Sequence, residues 1–318
     1  MTPDVLVLSR NVHGMPMSEY ADALRDRLPD LEIVHARTPA EERELVGEAT
    51  IVTGHAPPEG MLQVAEEIEL FACLYAGTDH LPLEELESRE VAVTNASGVH
   101  GPNVSEHAIA MLLAFAHRLE EGRRRQERAL WQAYQTRELY GSTVTVVGMG
   151  AIGTAVLERL DGFGVETIGV RHTPSKGGPA DEVIGYDAGA LQDAFVDTDY
   201  LVLACPLTET TRGLVDEAAF HSLPPDAVLV NVARGPVVDT DALLDALRGN
   251  ELRGAALDVT DPEPLPADHP LWTFENVRIT PHNSGQTPEY YQRLADVVAR
   301  NVRRVVGDLE GPIENRIV

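Results

Sequence analysis

Lysine is nearly missing from this 318-residue chain: Lys176 stands alone among 25 basic residues, leaving 24 arginines. Against 51 Asp plus Glu, the formal net charge is -26 at pH 7. A chain so acidic lacks the basic face that nucleic acid or an anionic membrane surface demands, so neither is expected as a partner. An acidic, lysine-poor surface does fit high salt, where self-repulsion is screened and dense charge keeps the protein dissolved. Cysteine is scarce too. Cys73 and Cys205 are too few for a disulfide framework, and each lies in an apolar run where a buried free thiol is the ordinary state. No apolar run approaches the roughly 18 residues of a spanning helix, and residues 1–10 carry no basic stretch ahead of an export core. A soluble, cytoplasmic protein without a metal site is the expectation.

Hydrophobic residues make up 43% of the chain, enough for real cores, and its length suits about two domains at roughly 150 residues each. The stretch VTVVGMGAIG, residues 144–153, organises the rest. An apolar strand runs into Gly148, Gly150 and Gly153, and residues 151–160 can continue as a helix. In that setting the first glycine makes a tight turn, the second admits a pyrophosphate close to the backbone, and the third lets helix pack on strand. Phosphate then meets the helix N-terminus, where unpaired N–H groups and the helix dipole favour an anion. Alone the spacing is weak evidence, since glycines gather at any sharp turn. The apolar run before it and another at 167–170 give it weight.

Apolar runs at residues 5–8, 32–34, 50–52, 70–74 and 91–94 alternate with amphipathic segments at 18–28 and 58–68. Such alternation predicts βαβ units and a parallel sheet covered on both faces. Residues 103–119 are apolar around most of a helical circumference and predict a buried helix. Arg123, Arg124, Arg125 and Arg128 follow, read as a solvated helix face in preference to a subunit contact. Further strands are expected at 200–204, 227–231, 254–259 and 277–280, a helix from a cap at residues 239–241 to a stop at Gly249, and a long amphipathic helix over 288–306.

After the run 167–170 comes Arg171-His172-Thr173-Pro174-Ser175-Lys176. A dinucleotide fold selecting NAD places Asp or Glu about 20 residues past the glycines, on the ribose 2′-OH. Here Arg171 can instead clamp a 2′-phosphate with its planar fork, and the chain's one lysine can add a point charge. The expected cofactor is NADP, with NAD the weaker alternative. Arg234 in NVARG, Glu263 in DVTDPEPL and His282 in ITPHNSG stand after three late strands. Singly they read as a surface ion pair, a loop acid and a structural histidine. Together they suit one reaction: Arg234 grips a carboxylate, His282 passes a proton to or from the neighbouring oxygen, and Glu263 holds the imidazolium.

With VVGMGAIG, CPLTETTRGLVD, NVARGPVVDTDALLDAL, GAALDVTDPEPLP, HPLW and ITPHNSG in this order, the chain resembles the D-isomer-specific 2-hydroxyacid dehydrogenase family over nearly its whole length. The resemblance implies an α/β fold of two doubly wound, parallel-sheet, Rossmann-like domains. In it the dinucleotide-binding domain, residues 99–285, is inserted into a substrate-binding domain made of 1–98 and 286–318. It implies Arg234, Glu263 and His282 as catalytic residues. Tyr75, Ala76, Gly77 and Thr78 would meet the substrate with Arg234 and His282. Cofactor contacts would come from Gly148, Gly150, Ala151, Ile152 and Gly153, from Arg171, His172, Thr173 and Lys176, from Cys205, Pro206 and Thr211, from Val232, Ala233 and Arg234, and from Asp258, His282 and Gly285. The implied activity is reduction of 2-oxo acids to D-2-hydroxy acids, in a homodimer whose arm lies around residues 123–134. The basic loop at Arg171 departs from the acid that most relatives carry. A non-catalytic, nucleotide-sensing protein of the same fold is the alternative. A formate-oxidising relative ranks lower, because such relatives carry an amide where Glu263 stands.

Overall fold

The structure is a computed structural model, and it describes residues 3–12, 14–58, 60–65, 67–78 and 80–318. The chain divides into two compact units, one of Met1–Val99 with Gln286–Val318, the other of His100–Gly285. Each is a parallel sheet with helices on both faces.

The first unit holds β1 (Val5–Val7), β2 (Ile33–His35), β3 (Ile51–Gly54), β4 (Leu70–Cys73) and β5 (Ala92–Thr94), in the order β2-β1-β3-β4-β5. Successive side chains of a strand point to opposite faces, and this sheet is apolar on both. Val5, Val7, Ile51, Leu70 and Ala72 face one core with Tyr20, Leu24, Leu294 and Val298. Leu6, Val52, Phe71 and Val93 face the other. The first core is covered by helices Met17–Arg27 and Tyr290–Val305, so the C-terminal helix completes the unit begun by the N-terminus. Of the helix expected over 58–68, residues 59 and 66 lie outside the described set, and a single turn, Met61–Val64, is present.

The second unit carries seven strands: β6 (Thr143–Val147), β7 (Glu166–Val170), β8 (Glu182–Ile184), β9 (Tyr200–Leu203), β10 (Val228–Asn231), β11 (Gly254–Leu257) and β12 (Val277–Ile279). Their order is β12-β11-β10-β9-β6-β7-β8. The chain leaves β6 toward β7 on one side and returns to β9 on the other, so the order reverses at β6 and β9. Open α/β sheets bind ligands at the carboxyl ends of such a pair.

At two helix ends the departure from the sequence reading has a backbone cause. The helix expected over 103–119 ends at Ala116, because Arg118 takes a left-handed φ of 48°. A separate helix, Leu119–Glu127, then begins, and Leu119 is exposed. The helix after Asp239 runs Thr240–Gly249 and is ended by left-handed Asn250 rather than by Gly249. Asparagine tolerates that conformation better than other non-glycine residues.

Candidate active site

The glycine turn sits at the switch point of the second unit. Gly148 has φ 96°, and a Cβ there would lie 2.5 Å from Cys205 Cα, so only glycine lets β6 turn against the loop leaving β9. A Cβ on Gly153 would run into the Gly148 carbonyl, so helix Ala151–Leu160 can start close against the turn only with glycine there. Gly150 heads that helix with nothing within 4 Å of its Cβ position. The first turn of the helix therefore offers its N–H groups over an open space, the arrangement an anion needs.

Beside this turn lies a cavity of about 250 Å³. Gly148, Met149 and Gly150 line one side, Arg171, His172, Thr173 and Lys176 another, and Tyr186, Pro206, Thr208, Thr210 and Thr211 the rest. Among the described residues no carboxylate lines it, although the chain carries 51. Arg171 Nη1 donates to the Gly177 carbonyl at 2.5 Å, which orders the guanidinium and leaves its other N–H groups for a ligand. Thr211 Oγ1 donates to the Pro206 carbonyl at 2.6 Å and accepts from the Thr208 amide at 2.8 Å, fixing the loop after β9. The residues present, an open helix head beside a basic, acid-poor lining, thus fit a nicotinamide dinucleotide. Cys205 is buried below this loop, and burial pushes its thiol up to about 11, so it is a neutral packing group. A larger cavity of about 590 Å³ lies at the amino-terminal edge, by Asp226, Arg253 and Asn276, away from the glycine turn. The carboxyl edge is where α/β sheets place their chemistry, and the smaller cavity is the relevant one.

The three polar residues of the sequence reading stand after β10, β11 and β12, which are neighbours in the sheet. Glu263 and His282 meet directly: Nδ1 of His282 is 2.7 Å from Glu263 Oε1. An ionised carboxylate only accepts, so Nδ1 carries the proton of that bond and Nε2 is left for another partner. Both side chains are about half exposed. Arg234 is exposed after β10 and donates from Nη1 to the Ala233 carbonyl at 2.7 Å. The chain before it is fixed by Asn231, which accepts from the Ala233 amide and donates to the Arg234 carbonyl. Val232 and Ala233 are buried under this turn. Tyr75, Ala76, Gly77 and Thr78 follow β4 in the other unit, where Asn95 Nδ2 donates to the Ala76 carbonyl at 2.7 Å.

Asp258, at the end of β11, is 3% exposed. Its Oδ1 accepts from Thr280 Oγ1 at 2.5 Å and the Asn283 amide at 2.8 Å, and its Oδ2 from the Ser284 amide at 3.0 Å. Its backbone carbonyl accepts from the His282 amide at 2.8 Å. Burial pushes the carboxyl pKa up, but hydrogen bonds from Ser284, Thr280 and the Asn283 and Ser284 amides outweigh it and hold it below the usual carboxylate range. One buried charge thus shapes the loop that presents His282. Sequence reasoning placed Asp258 on the cofactor side and missed this anchoring, along with the cavity lining by Met149, Tyr186, Thr208 and Thr210. Thr280 lies inside the ITPHNSG stretch, but nothing in the sequence marks its hydroxyl as the partner of a buried acid 22 residues earlier.

The model of the D-isomer specific 2-hydroxyacid dehydrogenase, NAD binding domain, matches residues 109–284. The glyoxylate reductase of Pyrococcus furiosus is 34% identical over 247 residues, covering 75% of this chain and 73% of that protein. A D-isomer specific 2-hydroxyacid dehydrogenase family protein from Aeromonas salmonicida superposes with a TM-score of 0.83 at 31% identity, over 100% of this chain and 99% of that one. A second family structure, from Xanthobacter autotrophicus in complex with NADPH and MES, gives a TM-score of 0.81 at 27% identity, over 99% and 98% of the two chains. The chain belongs to the D-isomer specific 2-hydroxyacid dehydrogenase family. It is an oxidoreductase of that class, built to use a nicotinamide dinucleotide and a small hydroxy or oxo acid.

Proposed function

We propose that this protein is an NADP-preferring reductase of 2-oxo acids to D-2-hydroxy acids, with His282 as proton donor and acceptor. The observation that carries the reading is the 2.7 Å bond between His282 Nδ1 and Glu263, which leaves Nε2 to serve the substrate oxygen. The dinucleotide, when bound, supplies the hydride that adds to the carbonyl carbon. Protonated His282 delivers its Nε2 proton to the carbonyl oxygen as charge gathers there, and Glu263 stabilises the imidazolium before that transfer. Arg234 grips the substrate carboxylate through its guanidinium fork and polarises the carbonyl. The backbone of Ala76, Gly77 and Thr78, in the first unit, is assigned to substrate binding. In the oxidative direction the roles reverse, and neutral His282 takes the hydroxyl proton at Nε2.

The cavity beside Gly148, acid-free among the described residues, supports the NADP preference, with Arg171 and Lys176 assigned to the 2′-phosphate and His172 and Thr173 to the cofactor beside them. The NADPH bound in the Xanthobacter structure points the same way. Ala151, Ile152, Gly153, Pro206, Thr211 and Gly285 are assigned to the remaining cofactor contacts. Full exposure of Trp131, with Leu130 also exposed, supports a homodimer whose arm lies around residues 123–134; a monomer on sizing in molar salt would contradict it. No helix among the described residues is long and apolar enough to cross a membrane, and we assign the protein to the cytoplasm, where a nicotinamide pool and reduced thiols are at hand. The acidic composition supports a requirement for salt, which full activity in low-salt buffer would refute. A rate panel of 2-oxo acids of increasing size, each with NADPH and with NADH, tests the activity. Turnover of none of them would favour the non-catalytic, nucleotide-sensing alternative.

A further inference from the structure

Two side chains on one helix hold the two ends of the loop that carries His282. Asn103 and His107 lie four residues apart on helix Gly101–Ala116, and so share a face. Asn103 Nδ2 donates to the Ser284 carbonyl at 2.6 Å. His107 Nε2 stands 3.3 Å from Thr280 Oγ1. The Thr280 hydroxyl has a single proton, and at 2.5 Å it goes to Asp258 Oδ1, because a carboxylate can only accept. The Thr280 oxygen must therefore accept from His107, which places a proton on Nε2 of that imidazole. His107 Nε2 also lies 3.9 Å from Asp258 Oδ1. Between these ties His282 takes a left-handed φ of 49°, unfavourable for a residue with a Cβ and maintained only where its surroundings over-determine it.

We infer that His107, seconded by Asn103, is a positioning residue for His282. It holds Thr280 and Asp258 in the arrangement that aims the imidazole at Glu263, without touching substrate or cofactor. The inference rests on the reading of His282 as proton donor. Without the His107 donor, Thr280 Oγ1 is one partner short, the strained backbone at His282 relaxes, and the Nδ1 bond to Glu263 is no longer aligned. A misplacement of this kind costs turnover while leaving binding intact.

His107→Ala should lower kcat by about 10- to 100-fold, as an ångström-scale misplacement does. The dissociation constant for NADPH, from fluorescence titration, and the thermal midpoint should stay near wild type. His107→Gln, whose amide can donate to Thr280, should restore most of the rate. Amide hydrogen exchange over residues 280–285 should quicken in His107→Ala and not in His107→Gln. A wild-type kcat in His107→Ala beside an inactive His282→Ala enzyme would overturn the inference. So would a rate loss matched by a fall in thermal midpoint and not rescued by glutamine, the mark of a side chain that only supports the fold. If His282→Ala itself keeps the wild-type rate, the proton-donor reading has failed, and exchange over 280–285 decides the positioning alone, with unchanged exchange in His107→Ala overturning it.

Discussion

Asp258→Asn removes one charge and nearly no volume, and the structure says where its cost falls. The carboxylate receives Thr280 Oγ1, the Asn283 amide and the Ser284 amide, at 2.5, 2.8 and 3.0 Å, in a site 3% exposed. Hydrogen bonds to a charged group contribute about 1.5–3 kcal/mol each, and a buried donor left unsatisfied costs about 1–3 kcal/mol. Asparagine keeps one acceptor oxygen but turns an NH₂ toward N–H groups that need an acceptor, so at least one donor is orphaned. Allowing for relaxation of the loop, the expected loss is about 2–4 kcal/mol. The pH dependence follows from the direction of the shift. The folded-state pKa of Asp258 lies below its ordinary value, because its hydrogen bonds outweigh the upward push of burial. A carboxyl so depressed adds stability that is fully present above its unfolded value of about 3.9 and is lost as pH falls through the folded value. Urea melts of wild type and Asp258→Asn at fixed high salt should thus differ by a constant amount between pH 5 and 8, and converge in stronger acid. A gap absent at neutral pH, or one that persists unchanged in acid, would refute the anchoring role.

Arg171→Asp should weaken NADPH chiefly through affinity and improve NADH, because a carboxylate repels a 2′-phosphate and accepts from ribose hydroxyls; unchanged NADPH affinity would make the basic loop a solvated turn. Arg234→Lys should be severe despite keeping the charge, since an ammonium cannot make two parallel bonds to a planar carboxylate. Substrate KM and kcat should both suffer, and a defect confined to cofactor affinity would move Arg234 out of the substrate site. Burial pushes the Cys73 thiol up and the Cys205 thiol up to about 11. Both should therefore resist iodoacetamide at pH 7.5 in the native protein and react in urea, and rapid native labelling would contradict their burial.

The sheets were legible because parallel strands covered on both faces appear as continuous apolar runs. VTVV and YLVL are buried throughout or nearly so, and both lie in the centre of their sheet. β8 was invisible: three residues at a sheet edge, with Glu182 exposed, carry no run to read. The break at Arg118 was hidden because a left-handed arginine follows from how the chain must turn, and no propensity signals it. At the site, Glu263 and His282 could be paired from residue type and motif, and the structure has them in contact. The work of Asp258 could not be read in the same way. Its partners are two hydroxyls and two backbone amides 22 to 26 residues further on, and only the fold tells which of 51 acids is buried beneath the histidine.

The central claim is that His282 moves the proton while a bound dinucleotide moves the hydride. Its most direct test is the rate of NADPH oxidation by His282→Ala beside the wild type, with whichever 2-oxo acid of the rate panel the wild type turns over fastest and with NADPH affinity measured independently on both. General acid catalysis contributes about 10²- to 10⁴-fold. The account predicts a loss of turnover in that range with NADPH binding nearly unchanged. A His282→Ala enzyme that oxidises NADPH at close to the wild-type rate would contradict it.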